Sequence, residues 1–440
     1  MDAYVDKTDS PAAAEHRSLG VEPGRRAPLT NANICALVAA NTLEFFDFFV
    51  YATFSAYIGR AFFPHLAGQG NQLLSLAVFA AGYLSRPLGG FVIGLYADRR
   101  GRKPAMLLTG SIITICTLGI AITPSYASLG IASSFIVVGC RIMQGFAIGG
   151  EMGSSSALLV EYGPAGRTGL YGGYQMAGQG AALVCAGLCG LGLVHLLEPA
   201  DLAAWGWRMP WVLGAIMVPI QIYLRRSIRE SIPANPAGLE NHDAGGRAWW
   251  SMPTLFAIAL IVGGTVPTYV VIYVITYGVS GPPPTVSASF MTTCVVGVVT
   301  LVASLLGGAL ADRFGKNTLL ALCRVATALL VYPAFATVVA HNTHVTAMAM
   351  ISLVAGASAL GGGPTIVLIL QKFPRIGRAT GLSVSYATGV ALFGGTAPLV
   401  VASMTKWTGD ALASAWYVGL ASLVALAGQA VALKWRNYPL

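Results

Sequence analysis

Apolar stretches of roughly 20 residues, the length a helix needs to cross the hydrocarbon of a bilayer, recur along this chain from about residue 33 to residue 434. Short polar or Gly/Pro-marked breaks separate them, and the predicted spans are twelve: 33–57, 73–95, 105–124, 130–154, 170–194, 208–225, 252–278, 287–310, 318–340, 345–369, 380–403 and 411–433. Only 10% of the residues are charged, against about 25% in an ordinary soluble domain. The solvent for most of the chain is therefore lipid, and the fold class is an all-α membrane protein. Residues 1–29 hold Lys7, Arg17, Arg25 and Arg26 among Asp, Glu and Pro, with no apolar core for a cleavable leader. They are expected to form a disordered arm, with the first span inserting uncleaved.

Charge placement sets the expected orientation. With the N-terminus inside, twenty of the 26 Lys and Arg fall in the arm, the inner loops or the tail, and only Arg60, Arg208 and Lys406 fall outside. That excess is the positive-inside bias and places both termini in the cytoplasm. The net charge of +9 then follows from topology, so nucleic acid is excluded as a partner. All seven cysteines fall in predicted spans, which argues against a disulfide framework. Cys185 and Cys189 lack a neighbouring His or carboxylate and read as packing residues rather than a metal site. Gly315, Lys316 and Asn317 only echo a phosphate loop, with Leu310 and Asn317 standing where it needs Gly and Ser or Thr. No metal or cofactor is expected, and no grouping of nucleophile, base and oxyanion donors suggests an enzyme.

An internal repeat divides the chain. GLYADRRGRK at 94–103 returns as GALADRFGKN at 308–317, and Pro164, Gly166, Arg167, Thr168, Gly169, Leu170 and Tyr174 are echoed by Pro374, Gly377, Arg378, Thr380, Gly381, Leu382 and Tyr386. Two unrelated loops reporting one duplication imply two six-helix halves, at 30–225 and 251–435, joined by a polar cytoplasmic linker at 226–250. Parallel repeats of this kind place a binding site near the midplane between the halves, opened to each side in turn by rocking.

The loop pattern after the second and eighth spans resembles the signature of the major facilitator superfamily. LEFFDFFVY at 43–51, SRPLGG at 85–90, RIMQGFAIGGEMG at 141–153, WGWRMPW at 205–211 and ALFGGTAPLV at 391–400 resemble, more narrowly, its metabolite:proton symporters. That subfamily includes citrate, alpha-ketoglutarate, shikimate and proline/betaine permeases. The resemblance implies a monomer in the bacterial inner membrane that moves a small organic acid together with protons. Gln371 stands where the family usually has Glu, and Ala387 follows Tyr386 where Asn is common, which loosens any inference about substrate.

Six charged residues fall inside predicted spans: Glu44, Asp47, Arg86, Arg141, Glu151 and Arg324. Each costs about 2.5 to 3.5 kcal/mol at a helix centre, so interior-facing positions and pairing are expected. Glu44 and Asp47 share a face of the first helix. Arg141, Gln144 and Glu151 form one stripe on the fourth, at about 0°, 300° and 280° around its axis. No His lies in the membrane interior, so a proton carrier has to be a carboxylate. The acidic residues of the spans all belong to the N-terminal half. In related carriers an acidic residue of the first helix pairs with an Arg of the fourth, which carries over to Asp47 and Arg141, with Glu44 and Glu151 as second candidates. A permanent structural pair is the alternative. A pair that opens and closes can change a carboxylate's proton affinity, because burial and a nearby Arg act in opposite directions.

Arg86 lies twelve residues, about 18 Å along the helix, from Asp98, near mid-membrane. It is expected either to capture a carboxylate or to pack beside Pro87 and Gly89. Arg324 is about two turns from an inner loop and is expected to snorkel. Gln175, Gln179, Thr265, Tyr269, Tyr273 and Tyr277 are candidate lining, with packing, or an interfacial belt for Tyr277, as the alternative. The repeated loops read as a latch. Asp98 would cap the eleventh helix near Thr380, and Arg102 would reach Glu161. Asp312 belongs to the second copy, where Lys316 or Arg313 would seek a partner near Gln371, and this copy is expected to be the weaker. Symport of an organic acid is the leading reading. Uptake of a zwitterion such as proline or betaine comes next, and a receptor or channel is disfavoured by the duplicated latch.

Overall fold

The computed structural model describes residues 31–434 apart from 65–68, 101, 150–155, 157–158, 161–162, 165, 216–251, 280–284, 342 and 374–377. Helices dominate, and among the described residues there is no strand. Membrane-length helices run over Ile34–Thr53, Leu73–Ile93, Ile131–Gly149, Thr168–Leu196, Met252–Tyr277, Val286–Phe314, Lys316–His341, His344–Lys372, Gly381–Thr408 and Ala413–Lys434, with a shorter apolar helix at Leu107–Ile122. These are eleven of the twelve predicted spans, and the sixth is described only as far as residue 215. A helix satisfies its own backbone in lipid, where no water can. Outward-facing side chains such as Leu329 and Phe135, 70% and 69% exposed, are apolar because their neighbour is hydrocarbon. The arm and the linker lie outside the described residues.

Several helices outrun their apolar segments. The eighth continues through Ala311, Asp312, Arg313 and Phe314 to Gly315, whose φ of 93° ends it. The repeated motif at 308–317 is thus mostly the end of a helix rather than a loop. Other helices are broken inside the membrane region. The second span turns at Ser85, between helices Gln69–Leu84 and Arg86–Arg100, and the tenth turns at Gly361, between His344–Leu360 and Gly362–Lys372. The eleventh carries a π-helical turn at Val390–Gly394, and the seventh contains Pro267.

Small residues set the closest approaches, as expected where helices cannot gain by hiding apolar surface from lipid. A Cβ on Gly145 would stand 1.5 Å from the carbonyl oxygen of Gly82, and one on Gly149 would stand 2.0 Å from that of Arg86. The glycines of the SRPLGG and RIMQGFAIGGEMG motifs therefore let the second and fourth spans cross backbone to backbone. Between the halves the fifth span packs along the eighth, the first meets the seventh and the second meets the eleventh. The halves touch at both ends. Ser55 and Tyr277 share a hydrogen bond of 2.8 Å at one, and Asp312 meets the fifth span at the other. A cavity of about 10 Å³, near the volume of one water probe, lies beside Ser55, Phe79, Tyr273, Tyr277 and Pro398.

Candidate functional site

Asp47 on the first span and Arg141 on the fourth meet at 2.9 Å, Oδ2 to Nη1, with 7% and 1% of their side chains exposed. Thr117 of the third span donates to Asp47 Oδ1 at 3.1 Å, and its oxygen accepts from Gln144 Nε2 at 2.9 Å. A hydroxyl can do both because it has one hydrogen and two lone pairs. The Arg141 guanidinium also lies over the rings of Tyr51, 4.1 Å from the centroid, and Phe48, 5.6 Å away. A buried pair of this kind is expensive to break from one side, at about 3–5 kcal/mol, since the remaining charge has no water to turn to.

Arg86 opens the second half of the broken second span. Ser85 holds the turn there, its one hydroxyl hydrogen shared between Gly82 O at 2.9 Å and Ile142 O at 2.8 Å. Arg86 is 1% exposed, and its guanidinium lies against two rings that meet edge to face, 3.8 Å from the Tyr83 centroid and 4.4 Å from that of Phe48. Phe48 thus touches both buried arginines of this half. Nε and Nη2 of Arg86 have no hydrogen-bond partner among the described residues.

The opposite half closes over this arginine. Tyr83 and Tyr269 join hydroxyl to hydroxyl at 2.7 Å, and Gln179 Nε2 donates to the Tyr386 hydroxyl at 3.5 Å. Glu44 and Gln175 are buried, 3% and 1% exposed. Tyr273 is partly buried, lines the small cavity and packs 5.2 Å from Tyr277. Tyr277 itself bonds Ser55 across the halves rather than standing in an interfacial belt. Side chains from the first and second spans meet at Arg86, Tyr269 of the seventh bonds Tyr83 beside it, and Gly395 of the eleventh packs against the Tyr83 ring. Glu151 and Glu161 lie outside the described residues, as do the side chains of Asp98, Arg102 and Thr380.

At the latch end the second copy of the repeat is paired differently from expectation. Asp312 accepts hydrogen bonds from the backbone N–H groups of Gly169, at 2.7 Å, and Leu170, at 2.9 Å. It caps the fifth span of the other half, where free N–H groups and the positive dipole end favour a carboxylate. Lys316 lies 3.6 Å from Asp312 rather than reaching toward Gln371, and Arg313 lies over the ring of Phe314. The two sequence echoes are the two sides of one contact, since Asp312 comes from the first repeat and Gly169 and Leu170 from the second. Arg324 requires a second correction. It does not snorkel but is fully buried, donating to Gly263 O and, at 3.2 Å, to Thr365 Oγ1.

Sequence reasoning missed Phe48, Tyr83 and Thr117. Tyr83 precedes Arg86 by three residues and Phe48 adjoins Asp47, so helical spacing could have found the first and adjacency the second. Thr117 carries no signal, because its importance comes from a crossing of three helices. Among the described residues no group of three His, Cys, Asp or Glu is placed to hold a metal.

Residues 37–398 match the family model described as Major Facilitator Superfamily. An alpha-ketoglutarate permease of Escherichia coli is 32% identical, covering 90% of this chain and 93% of its own. A citrate-proton symporter of Klebsiella pneumoniae is 28% identical over 89% of each chain, and a proline/betaine transporter of Escherichia coli is 28% identical over 92% and 84%. Among solved structures, a proton:xylose symporter with a bound halogenated glucose superposes with a TM-score of 0.75 at 16% identity, covering 93% and 95%. That likeness shows the fold. The chain belongs to the Major Facilitator Superfamily and is a twelve-helix membrane transporter rather than an enzyme.

Proposed function

We propose that this transporter carries a small organic anion together with protons, by alternating access, with Asp47 as the proton carrier and Arg86 as the anchor for a substrate carboxylate. The observation that carries this reading is the arrangement around Phe48, whose ring has the pair's Arg141 at 5.6 Å and Arg86 at 4.4 Å from its centroid. Protonation of Asp47 removes its charge from Arg141. The freed guanidinium then pulls on Phe48, and with it on the frame that holds Arg86. Substrate and proton in this way alter the same aromatic contact from two directions. The names of the citrate and alpha-ketoglutarate relatives support an acid as cargo.

A betaine-like cation is the second reading, since aromatic faces attract quaternary ammonium groups and a proline/betaine transporter is among the relatives. The faces of Phe48 and Tyr83 are already taken by Arg86, which favours the anion. Glu44, Gln175, Gln179, Tyr269, Tyr273 and Tyr386 would complete the binding surface. In this reading both termini are cytoplasmic, the Asp312 contact closes the cytoplasmic side, and Asp98 with Arg102 and Glu161 forms its counterpart in the other half. A thermal-shift screen of the purified protein against citrate, alpha-ketoglutarate, shikimate, betaine, proline and sugars tests it. Stabilisation by acids that disappears in Arg86→Gln is expected, and stabilisation by betaine or proline alone would overturn it.

A further inference from the structure

The seventh span, Met252–Tyr277, passes through Pro267 without ending. Proline has no N–H, so the carbonyl four residues earlier, that of Gly263, loses its helical donor. In a bilayer interior no water is at hand to replace that donor. Arg324 replaces it, because its Nη1 donates to Gly263 O. Two glycines make the room: a Cβ on Gly263 would lie 2.9 Å from Arg324 Nε, and one on Gly264 would lie 3.1 Å from Nη2. The other end of the guanidinium bonds Thr365 at 3.2 Å. Thr365 follows the break in the tenth span and donates its own hydroxyl to Gly361 O at 2.7 Å. One buried cation thus joins the proline of the seventh span to the break in the tenth, and no carboxylate among the described residues bonds it.

Both joined segments lead to the contacts between the halves. Tyr269, two residues beyond Pro267, makes the hydroxyl bond to Tyr83. Past the break in the tenth span, Gly363 packs so tightly on the fifth that a Cβ there would lie 2.7 Å from Gly173 N and 2.8 Å from Gly169 O. Gly169 is also the residue whose N–H Asp312 holds. We infer that Arg324 is a positioning residue that supplies the donor missing at Pro267, fixes the course of the seventh span and ties the midline tyrosine to the latch end. The link from Tyr269 to substrate rests on the function proposed above, whereas the donor role does not.

Hydrogen exchange and thermal unfolding of the purified protein, without substrate, test the donor role in wild type, Arg324→Gln, Arg324→Lys, Pro267→Ala and the double variant Pro267→Ala/Arg324→Gln. Arg324→Gln should raise exchange across residues 263–270 about tenfold by opening the segment locally. Arg324→Lys, which keeps one of the two bonds, should fall between it and wild type. In Pro267→Ala the new N–H fills the Gly263 carbonyl and takes the acceptor from Arg324. Adding Arg324→Gln in that background should change exchange by less than about twofold and leave the unfolding midpoint at or above that of Pro267→Ala, a non-additive result. Equal effects of Arg324→Gln in both backgrounds would overturn the inference. If Arg324→Gln alone fails to fold, the comparison of Pro267→Ala with the double variant decides, and a lower midpoint for the double variant sinks the idea. Because no substrate is used, these results stand even if the cargo is not an organic anion.

Discussion

The hydroxyl of Tyr83 stands 2.7 Å from that of Tyr269, so a hydrogen bond joins the two halves through the same tyrosine whose ring lies against the buried guanidinium of Arg86. Each tyrosine is the other's hydroxyl partner and both are buried, and removing either leaves the other hydroxyl unmet. Tyr83→Phe and Tyr269→Phe should each weaken the closed state by about 1 kcal/mol. The double variant should lose little more than one single, because partners in one bond do not add. Unfolding midpoints of the three purified variants check this, and simple addition of the two losses would show that the hydroxyls act independently.

Asp312 offers a second test, because its two oxygens meet two backbone N–H groups at the start of the fifth span. Asp312→Asn keeps the shape but replaces one acceptor with an NH₂ group that repels the N–H it faces. The contact at this end should loosen, with alkylation of a cysteine placed at the midline from that side rising several-fold. Asp312→Glu should do nearly as much damage, because Gly169 and Gly308 are packed with no room for a longer side chain. Unchanged labelling in well-folded Asp312→Asn would remove the latch role.

Sequence gave up the helices readily, since apolar length alone marks a membrane span, and it gave up the duplication, because two loops repeat. It also marked Asp47, Arg141, Gln144 and Arg86 as residues whose charge or polarity is costly in lipid, while the pairing of Asp47 with Arg141 came from the resemblance to related carriers. What stayed hidden depends on neighbours in space. Arg324 was expected to reach water because its distance from a loop can be counted, while the carbonyl freed by Pro267 lies 61 positions away in the chain. Lys316 or Arg313 was expected to seek a partner near Gln371, whereas the contact is made by Asp312 with backbone, and a backbone N–H leaves no trace in residue types. Phe48 reads as one more apolar residue until two guanidinium groups are seen against it.

Gly145 allows a test of the crossing that places Arg86 beside Arg141. Any side chain there runs into Gly82 O and the Ser85 hydroxyl, so Gly145→Ala should push the second and fourth spans apart. Overpacking of this kind costs about 1–3 kcal/mol. Gly139, on the same helix, has nothing within 4 Å of a built Cβ, and Gly139→Ala should be neutral or slightly stabilising. The yield of monodisperse protein and its unfolding midpoint separate the two, and equal behaviour would contradict the packing described.

Asp47 decides between a proton carrier and a fixed structural pair. If it carries the coupling proton, Asp47→Asn imitates the protonated form and cannot cycle. Accumulation of substrate driven by a proton gradient should then fall to background in proteoliposomes. Counterflow, which needs no net proton movement, should persist at a sizeable fraction of wild type. Arg141→Gln should be worse, since it leaves Asp47 buried beside Thr117 without its cation, at a cost of about 3–5 kcal/mol. Combining Asp47→Asn with Arg141→Gln should restore protein yield relative to Arg141→Gln alone but should not restore accumulation. Thr117→Val supplies an independent check. It removes the hydrogen bond to Asp47 and the acceptor used by Gln144 while leaving the ion pair intact. The pH dependence of accumulation should shift in Thr117→Val if Asp47 titrates during transport and stay fixed if the pair is only structural. Concentrative uptake that survives in Asp47→Asn would transfer the role to Glu44 or Glu151.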